Sequence, residues 1–183
     1  KAEMKEIRAK YSDYFARCDE TYGCFLHGSD PRSSLEVGDE ERLAFYEELY
    51  QAPGFAIWLG NFADILTDQK ANDLITEFMQ QKIRDRVNDP DVAEKLIPKD
   101  HGFGLRRVPM ETNYYEVYNQ ENVELVDVQA VPITRITSSG ISTTEHEHEL
   151  DMIIYATGFN AVVGALERIE IRGIGGQLLK EKW

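Results

Sequence analysis

Apolar side chains in the first hundred residues recur every three or four positions, the spacing that lines one face of a helix. Met4, Ile7, Tyr11, Tyr14 and Phe15 predict a first helix of this kind. Residues 21–38 interrupt the pattern with Gly23, Gly28, Pro31, Gly38 and several serines, which predicts a loop. Asp39 is suited to cap a helix carrying Leu43, Phe45, Tyr46, Leu49 and Tyr50, and Pro53-Gly54 stops it. Phe55 to Leu66 is apolar enough to be mostly buried. The clearest stripe runs from about Asp68 to Val87: Ala71, Leu74, Ile75, Phe78, Met79, Ile83 and Val87 share a face, with Glu77, Gln81, Lys82 and Arg84 off it. Asp89-Pro90 supplies a cap and a proline at the first helical position of a short helix that Pro98 ends. These stripes read as scaffold core rather than as a cofactor surface.

The pattern changes near residue 100. His101-Gly102-Phe103-Gly104 reads as a flexible link, and Tyr114 to Tyr118 as a short helix ended by Asn119. Short β-branched runs follow at Val123–Val128, Ile133–Thr137 and Ile141–Thr144, the last two joined by a Ser138-Ser139-Gly140 turn, which predicts a strand and then a hairpin. Met152 to Ala156 is a continuous apolar run, expected to be a strand buried on both faces and ending at Thr157-Gly158. Residues 1–98 are thus expected to be predominantly helical and residues 123–156 mostly strand. No internal repeat or low-complexity segment appears.

Composition narrows the function classes. Of 183 residues, 42% are hydrophobic and 29% charged, as in an ordinary globular protein. The net charge of −13 argues against a nucleic-acid partner, which requires a basic face. It leaves room for an anionic cofactor, because a few local arginines can bind phosphate inside an acidic protein. No apolar run reaches the length of a membrane span, and the start, Lys1 to Glu6, is too polar for a signal peptide. The chain begins in a helical pattern without an initiator methionine and reads as a segment of something longer. Cys18 and Cys24 are too few for a disulfide framework and fit two reduced cytoplasmic thiols.

Candidate chemistry is sparse. Gly102-x-Gly104 is followed by Arg107 where a third glycine would stand, and Gly173-x-Gly175 by Leu178, so neither makes a dinucleotide fingerprint. His146 and His148 have metal-ligand spacing for a strand, but Glu145-His146-Glu147-His148-Glu149 is more simply a solvated hairpin arm. Arg106-Arg107 is the one adjacent arginine pair. It would suit a phosphate clamp or a charge held against a developing oxyanion, or else be a surface pair with Glu111 or Asp100. Ala156-Thr157-Gly158-Phe159-Asn160 ends an apolar run with a glycine that allows close backbone approach, as at the sheet edges where cofactors dock; an ordinary strand-ending turn is the alternative.

Four segments, in order, resemble the Baeyer–Villiger monooxygenases, especially the branch acting on aryl and steroid ketones. Asn88 to Lys99 (NDPDVAEKLIPK) looks like the end of that family's helical insertion. Gly102-Phe103-Gly104-Leu105-Arg106-Arg107 followed by Asn113-Tyr114-Tyr115-Glu116 is similar to its FG-[KR]-R … DYYE region. Ala156 to Asn160 matches its A-T-G-F-[DN] motif, and Ile171-Arg172-Gly173 with Lys180 to Trp183 looks like the stretch beyond. The A-T-G motif alone is shared with many flavin- and NADPH-dependent monooxygenases, so the specificity lies in the ordered set.

The resemblance implies an α/β fold in which a helical subdomain is followed by partial Rossmann-like strands, part of a flavoprotein with two dinucleotide-binding domains. It implies a helical insertion at 1–103, the returning part of the NADPH-binding domain at 104–150, and the start of the FAD-domain return at 151–183. It also implies an enzyme using FAD, NADPH and O2 to insert one oxygen beside a ketone carbonyl, giving an ester or lactone. The family's catalytic arginine falls on Arg107, where it would stabilise the flavin peroxide anion and the negatively charged intermediate formed with the ketone. The preceding basic residue, associated with the NADPH 2′-phosphate, falls on Arg106. With Ala156, Thr157, Gly158, Phe159 and Asn160 these form the expected cofactor-binding set; no metal is expected. Both glycine loops, the aspartate partnering the arginine and the fingerprint between the nucleotide folds lie outside this chain. The remaining polypeptide is therefore the expected partner, and the segment alone is expected to be inactive. The alternatives are a related flavin monooxygenase hydroxylating nitrogen or sulfur and a non-catalytic helical binding module with a β tail.

Overall fold

The computed structural model describes residues 2–21, 23–160 and 163–182 and divides the chain into two compact units, residues 1–126 and 127–183. The first unit is helical: α1 (Ala2–Ala9), α2 (Tyr11–Asp19), α3 (Asp39–Gln51), α4 (Ala56–Leu59), α5 (Gln69–Arg86) and α6 (Pro90–Leu96), then a 3-10 turn at Glu116–Asn119. The expected helical character of residues 1–98 is borne out.

The α5 stripe forms the core. Ile75 packs with Tyr46 of α3 and with Phe62 and Ile65 from the α4–α5 connection, flanked by Phe45, Phe78, Met79 and Phe103. One end of α5 continues into a second cluster of Ile83, Val87, Ala93 and Ile97. Two side-chain caps start the helices. Asp68 accepts from the amides of Lys70 (2.8 Å) and Ala71 (3.1 Å), and Asp89 from those of Asp91 (2.8 Å) and Val92 (3.2 Å). The serine-rich loop is ordered by Asp64, whose carboxylate accepts from the Ser33 hydroxyl (2.7 Å) and the Ser34 amide (2.9 Å). Burial opposes that carboxylate's charge, but the serine hydrogen bonds outweigh burial and hold it below its ordinary pKa.

Three features of the helical unit depart from the sequence pattern. Asp39 is the first residue of α3, and Gly38 holds the cap position without a side-chain bond. The first apolar stripe is split at Lys10 into α1 and α2, and no side chain of α2 is buried. Tyr11 and Phe15 contact each other at 5.7 Å but stay exposed, because helical periodicity buries a face only where another surface covers it. The link at 101–104, expected to be flexible, is tied at Phe103 to Asn72 and Thr76 of α5.

The second unit carries the expected hairpin. Strands β1 (Ile133–Ile136), β2 (Gly140–Thr143) and β3 (Glu147–Glu149) form an antiparallel sheet in the order β1-β2-β3, with a register shift between Ile133 and Arg135. A Cβ on Gly140 would sit 1.8 Å from the His148 carbonyl oxygen, so only glycine permits this close pairing. Short helices α7 (Val163–Glu167) and α8 (Leu179–Lys182) follow. Residues 123–156 are not mostly strand: neither 123–128 nor 152–156 is extended in a sheet. Met152, Ile154 and Tyr155 are exposed, at 75%, 82% and 68%. A strand exists through its neighbours' hydrogen bonds, and among the described residues nothing pairs with this run.

Candidate functional site

Two polar residues on the core side of α5 build the site. Asn72 and Thr76 are four apart, one above the other on the helix. The Asn72 side chain, 3% exposed, donates to the carbonyls of Ile65 (2.7 Å) and Phe103 (2.9 Å). The Thr76 hydroxyl accepts from the Phe103 amide at 2.8 Å and donates to Asn72 Oδ1 at 3.4 Å. Both backbone groups of Phe103 are thus held by α5 while its ring packs on the core. A Cβ on Gly102 would come within 1.8 Å of Asn72 Oδ1. Gly104 has φ +76, and a Cβ there would stand 2.9 Å from Leu66 and 3.0 Å from Trp58. The two glycines serve close approach, not freedom.

Downstream the chain is held again. The Arg86 guanidinium, at the end of α5, bonds both carboxylate oxygens of Glu116 (2.5 and 2.8 Å), Glu111 (2.7 Å) and the Tyr50 hydroxyl (3.1 Å). It also lies 4.9 Å over the Tyr115 ring. Hydrogen bonding to this cation pulls both carboxyls below their ordinary pKa, and Arg86 is raised in turn, chiefly by Glu116. Asn119 adds bonds to the Asn88 amide and the Arg86 carbonyl, each 2.8 Å.

Between these anchors, residues 104–110 carry Arg106 and Arg107 into solvent. Arg106 donates to Asp100 at 2.8 Å. Asp100 also meets the His101 ring at 2.6 Å, and that bond, with the charge of Arg106, lowers its carboxyl pKa. Arg107 makes no hydrogen bond or ion pair among the described residues. The surface-pair reading therefore fits Arg106 with Asp100, while Glu111 is taken by Arg86. An unpaired exposed guanidinium and a weakly held neighbour fit a role in meeting an anionic cofactor or reaction centre.

The other expected residues belong to the second unit. Ala156, Thr157, Gly158, Phe159 and Asn160 are exposed and in no helix or strand. Gly158 has φ +80 with nothing within 4 Å of a Cβ, and Phe159 is 99% exposed. This fits a backbone open to a ligand but is not itself an enclosure. His146 lies just before β3 and His148 within it, their rings 6.4 Å apart, and no group of three metal-ligating side chains occurs among the described residues. No described helix is long and apolar enough to cross a membrane.

Sequence reasoning missed Asn72, Thr76 and Arg86. A signal existed for the first two: polar residues at i and i+4 beside an apolar stripe are buried with it, and buried polar groups require partners. Arg86 carried no such sign, since its partners are 25 and 30 residues away.

No family model matches the chain. The 2-oxo-Δ3-4,5,5-trimethylcyclopentenylacetyl-CoA monooxygenase of Pseudomonas putida is 49% identical over all 183 residues, which cover 34% of that protein. A Baeyer–Villiger monooxygenase of Pseudooceanicola batsensis is 39% identical over 100% of this chain and 33% of its own length. The crystal structure of OTEMO in complex with FAD and NADP superposes with a TM-score of 0.92 at 49% identity, covering 100% of this chain and 34% of that one. The chain therefore spans about a third of the length of the curated relatives it matches. Its helices and small sheet match a region of a flavoprotein fold, in keeping with a partial dinucleotide-binding architecture.

Proposed function

By sequence and fold this chain belongs with the Baeyer–Villiger monooxygenases, and on that footing we propose that it serves a flavin- and NADPH-dependent enzyme inserting one oxygen of O2 beside a ketone carbonyl. The product is an ester or lactone. The observation that supports this most is Arg107, a guanidinium with no partner among the described residues, on a segment anchored at both ends. FAD, working with NADPH and O2, supplies the oxygen-transfer chemistry when bound. Arg107 contributes a fixed positive charge, since arginine does not lose its proton in proteins, and so acts by electrostatic stabilisation rather than as a proton donor. Arg106 would hold the NADPH 2′-phosphate, in competition with Asp100 for the guanidinium. Ala156 to Asn160 would offer their open backbone to the flavin nucleotide, with Gly158 permitting close approach.

In this reading residues 1–103 are the helical insertion, 104–150 the return of the NADPH-binding domain and 151–183 the start of the FAD-domain return. The rest of the polypeptide supplies both glycine loops and the remaining contacts to cofactor and ketone. Two free thiols, Cys18 and Cys24, suit a cytoplasmic setting.

The test is product analysis with kinetics on the full-length protein. Cyclic and aryl ketones with NADPH and O2 should give esters or lactones; N-oxides or sulfoxides from amines and thioethers, with no ester, would favour the nitrogen- or sulfur-oxidising alternative. Arg106→Ala should raise the NADPH Michaelis constant by roughly ten- to a hundredfold, equivalent to about 1.5–3 kcal/mol of charge-assisted hydrogen bonding. The NADH constant should change much less. Equal losses with both nicotinamides would remove Arg106 from the 2′-phosphate.

A further inference from the structure

Arg107 has no side-chain partner among the described residues, so its backbone must aim it. Upstream, that backbone is tied to α5 through Phe103: its carbonyl to Asn72 at 2.9 Å and its amide to the Thr76 hydroxyl at 2.8 Å. Gly104 turns the chain immediately afterwards with φ +76, and the Leu105 amide bonds back to the Gly102 carbonyl at 3.4 Å. Arg106 and Arg107 leave directly from this turn. Downstream, the Arg86 hub takes hold at Glu111. Both anchors belong to α5, which is seated in the core through Ala71, Ile75 and Ile83.

We propose that Thr76, with Asn72, is a positioning residue for the arginine pair, its hydroxyl fixing the Phe103 amide so that Arg106 and Arg107 emerge in a defined direction. The inference rests on the functional reading above. Its chemistry is specific. The Thr76 oxygen accepts from Phe103 and its hydroxyl donates to Asn72 Oδ1, while both Asn72 amide hydrogens are donated to carbonyls. Replacing the hydroxyl by a methyl leaves the Phe103 amide without an acceptor, and the turn must shift to find water. Preorganised charge is sensitive to such shifts, since a displacement of about 1 Å can cost on the order of a hundredfold in rate.

The experiment compares Thr76→Val and Thr76→Ser in the full-length enzyme, with kcat expressed per bound flavin. Thr76→Val should lower kcat by about three- to tenfold, raise the NADPH Michaelis constant and shrink the preference for NADPH over NADH. Thr76→Ser, which keeps the hydroxyl, should recover at least half of the wild-type kcat and preference. If Thr76→Val does not accumulate as flavoprotein, Thr76→Ala carries the same expectation. A Thr76→Val enzyme that melts at lower temperature, yet keeps both kcat per flavin and nicotinamide preference, would overturn the proposal, since Thr76 would then be merely structural. Equal impairment by valine and serine would overturn it too. Arg107→Ala run in parallel separates the two levels. If Arg107→Ala retains turnover, the functional reading fails; if it abolishes turnover while Thr76→Val is normal, only the positioning role fails.

Discussion

Arg107→Ala in the full-length enzyme should abolish ketone oxygenation while leaving FAD bound. Removing a pre-aimed charge from the reacting centre should lower turnover by on the order of 10²–10³-fold or more. The expectation depends on the geometry. Arg107 has no intramolecular counter-ion among the described residues, so its deletion orphans no buried carboxylate and should not damage the fold. Flavin content, measured from the visible spectrum after gel filtration, should therefore match wild type. Steady-state kinetics with a ketone then isolates the chemical role. Near-normal turnover would remove both the catalytic role of Arg107 and the mechanism built on it.

The largest stability effect is expected at Ile75. Its side chain is fully buried between Tyr46, Phe62 and Ile65, where α3, the α4–α5 connection and α5 meet. Ile75→Ala removes buried methylene and methyl groups and leaves a cavity, at a cost of about 2–5 kcal/mol. The aromatic neighbours limit how far the site can collapse: Tyr46 lies 5.4 Å from Phe78 and 5.9 Å from Phe62, each fixed by its own contacts. Urea denaturation followed by tryptophan fluorescence should show a lower midpoint at unchanged slope. By contrast, Leu43→Ala in α3 should be nearly silent, because Leu43 is half exposed. A midpoint that Ile75→Ala leaves unmoved would contradict the core described for this unit.

These two residues mark what a single sequence could and could not convey. Ile75 was legible because its stripe has the helical period over many turns, and α5 starts where that stripe does, behind its Asp68 cap. Arg107 was legible through its motif but not through its physics, since nothing local tells a free guanidinium from a paired one. Asp100, rather than Glu111, proved to hold Arg106 because Arg86 takes Glu111 from far along the chain. The 101–104 link looked mobile because glycines flank an aromatic residue; close packing against Asn72 and Trp58 gives them a different purpose. The run at 152–156 misled for a related reason. Apolar, β-branched composition describes a residue's preference for a sheet, and the sheet itself depends on a neighbouring edge.

That run has a practical consequence for handling the chain. Among the described residues, the backbone from 152 to 158 makes no hydrogen bond, and most of its apolar side chains face solvent. In the segment taken alone, such a stretch is a template for strand addition between copies. The net charge of −13 opposes their approach, but that repulsion reaches only about 10 Å at 0.1 M salt and about 3 Å at 1 M. For the segment prepared without the rest of the polypeptide, light scattering should therefore rise with salt, whereas the full-length protein, in which this stretch is covered, should show no such rise.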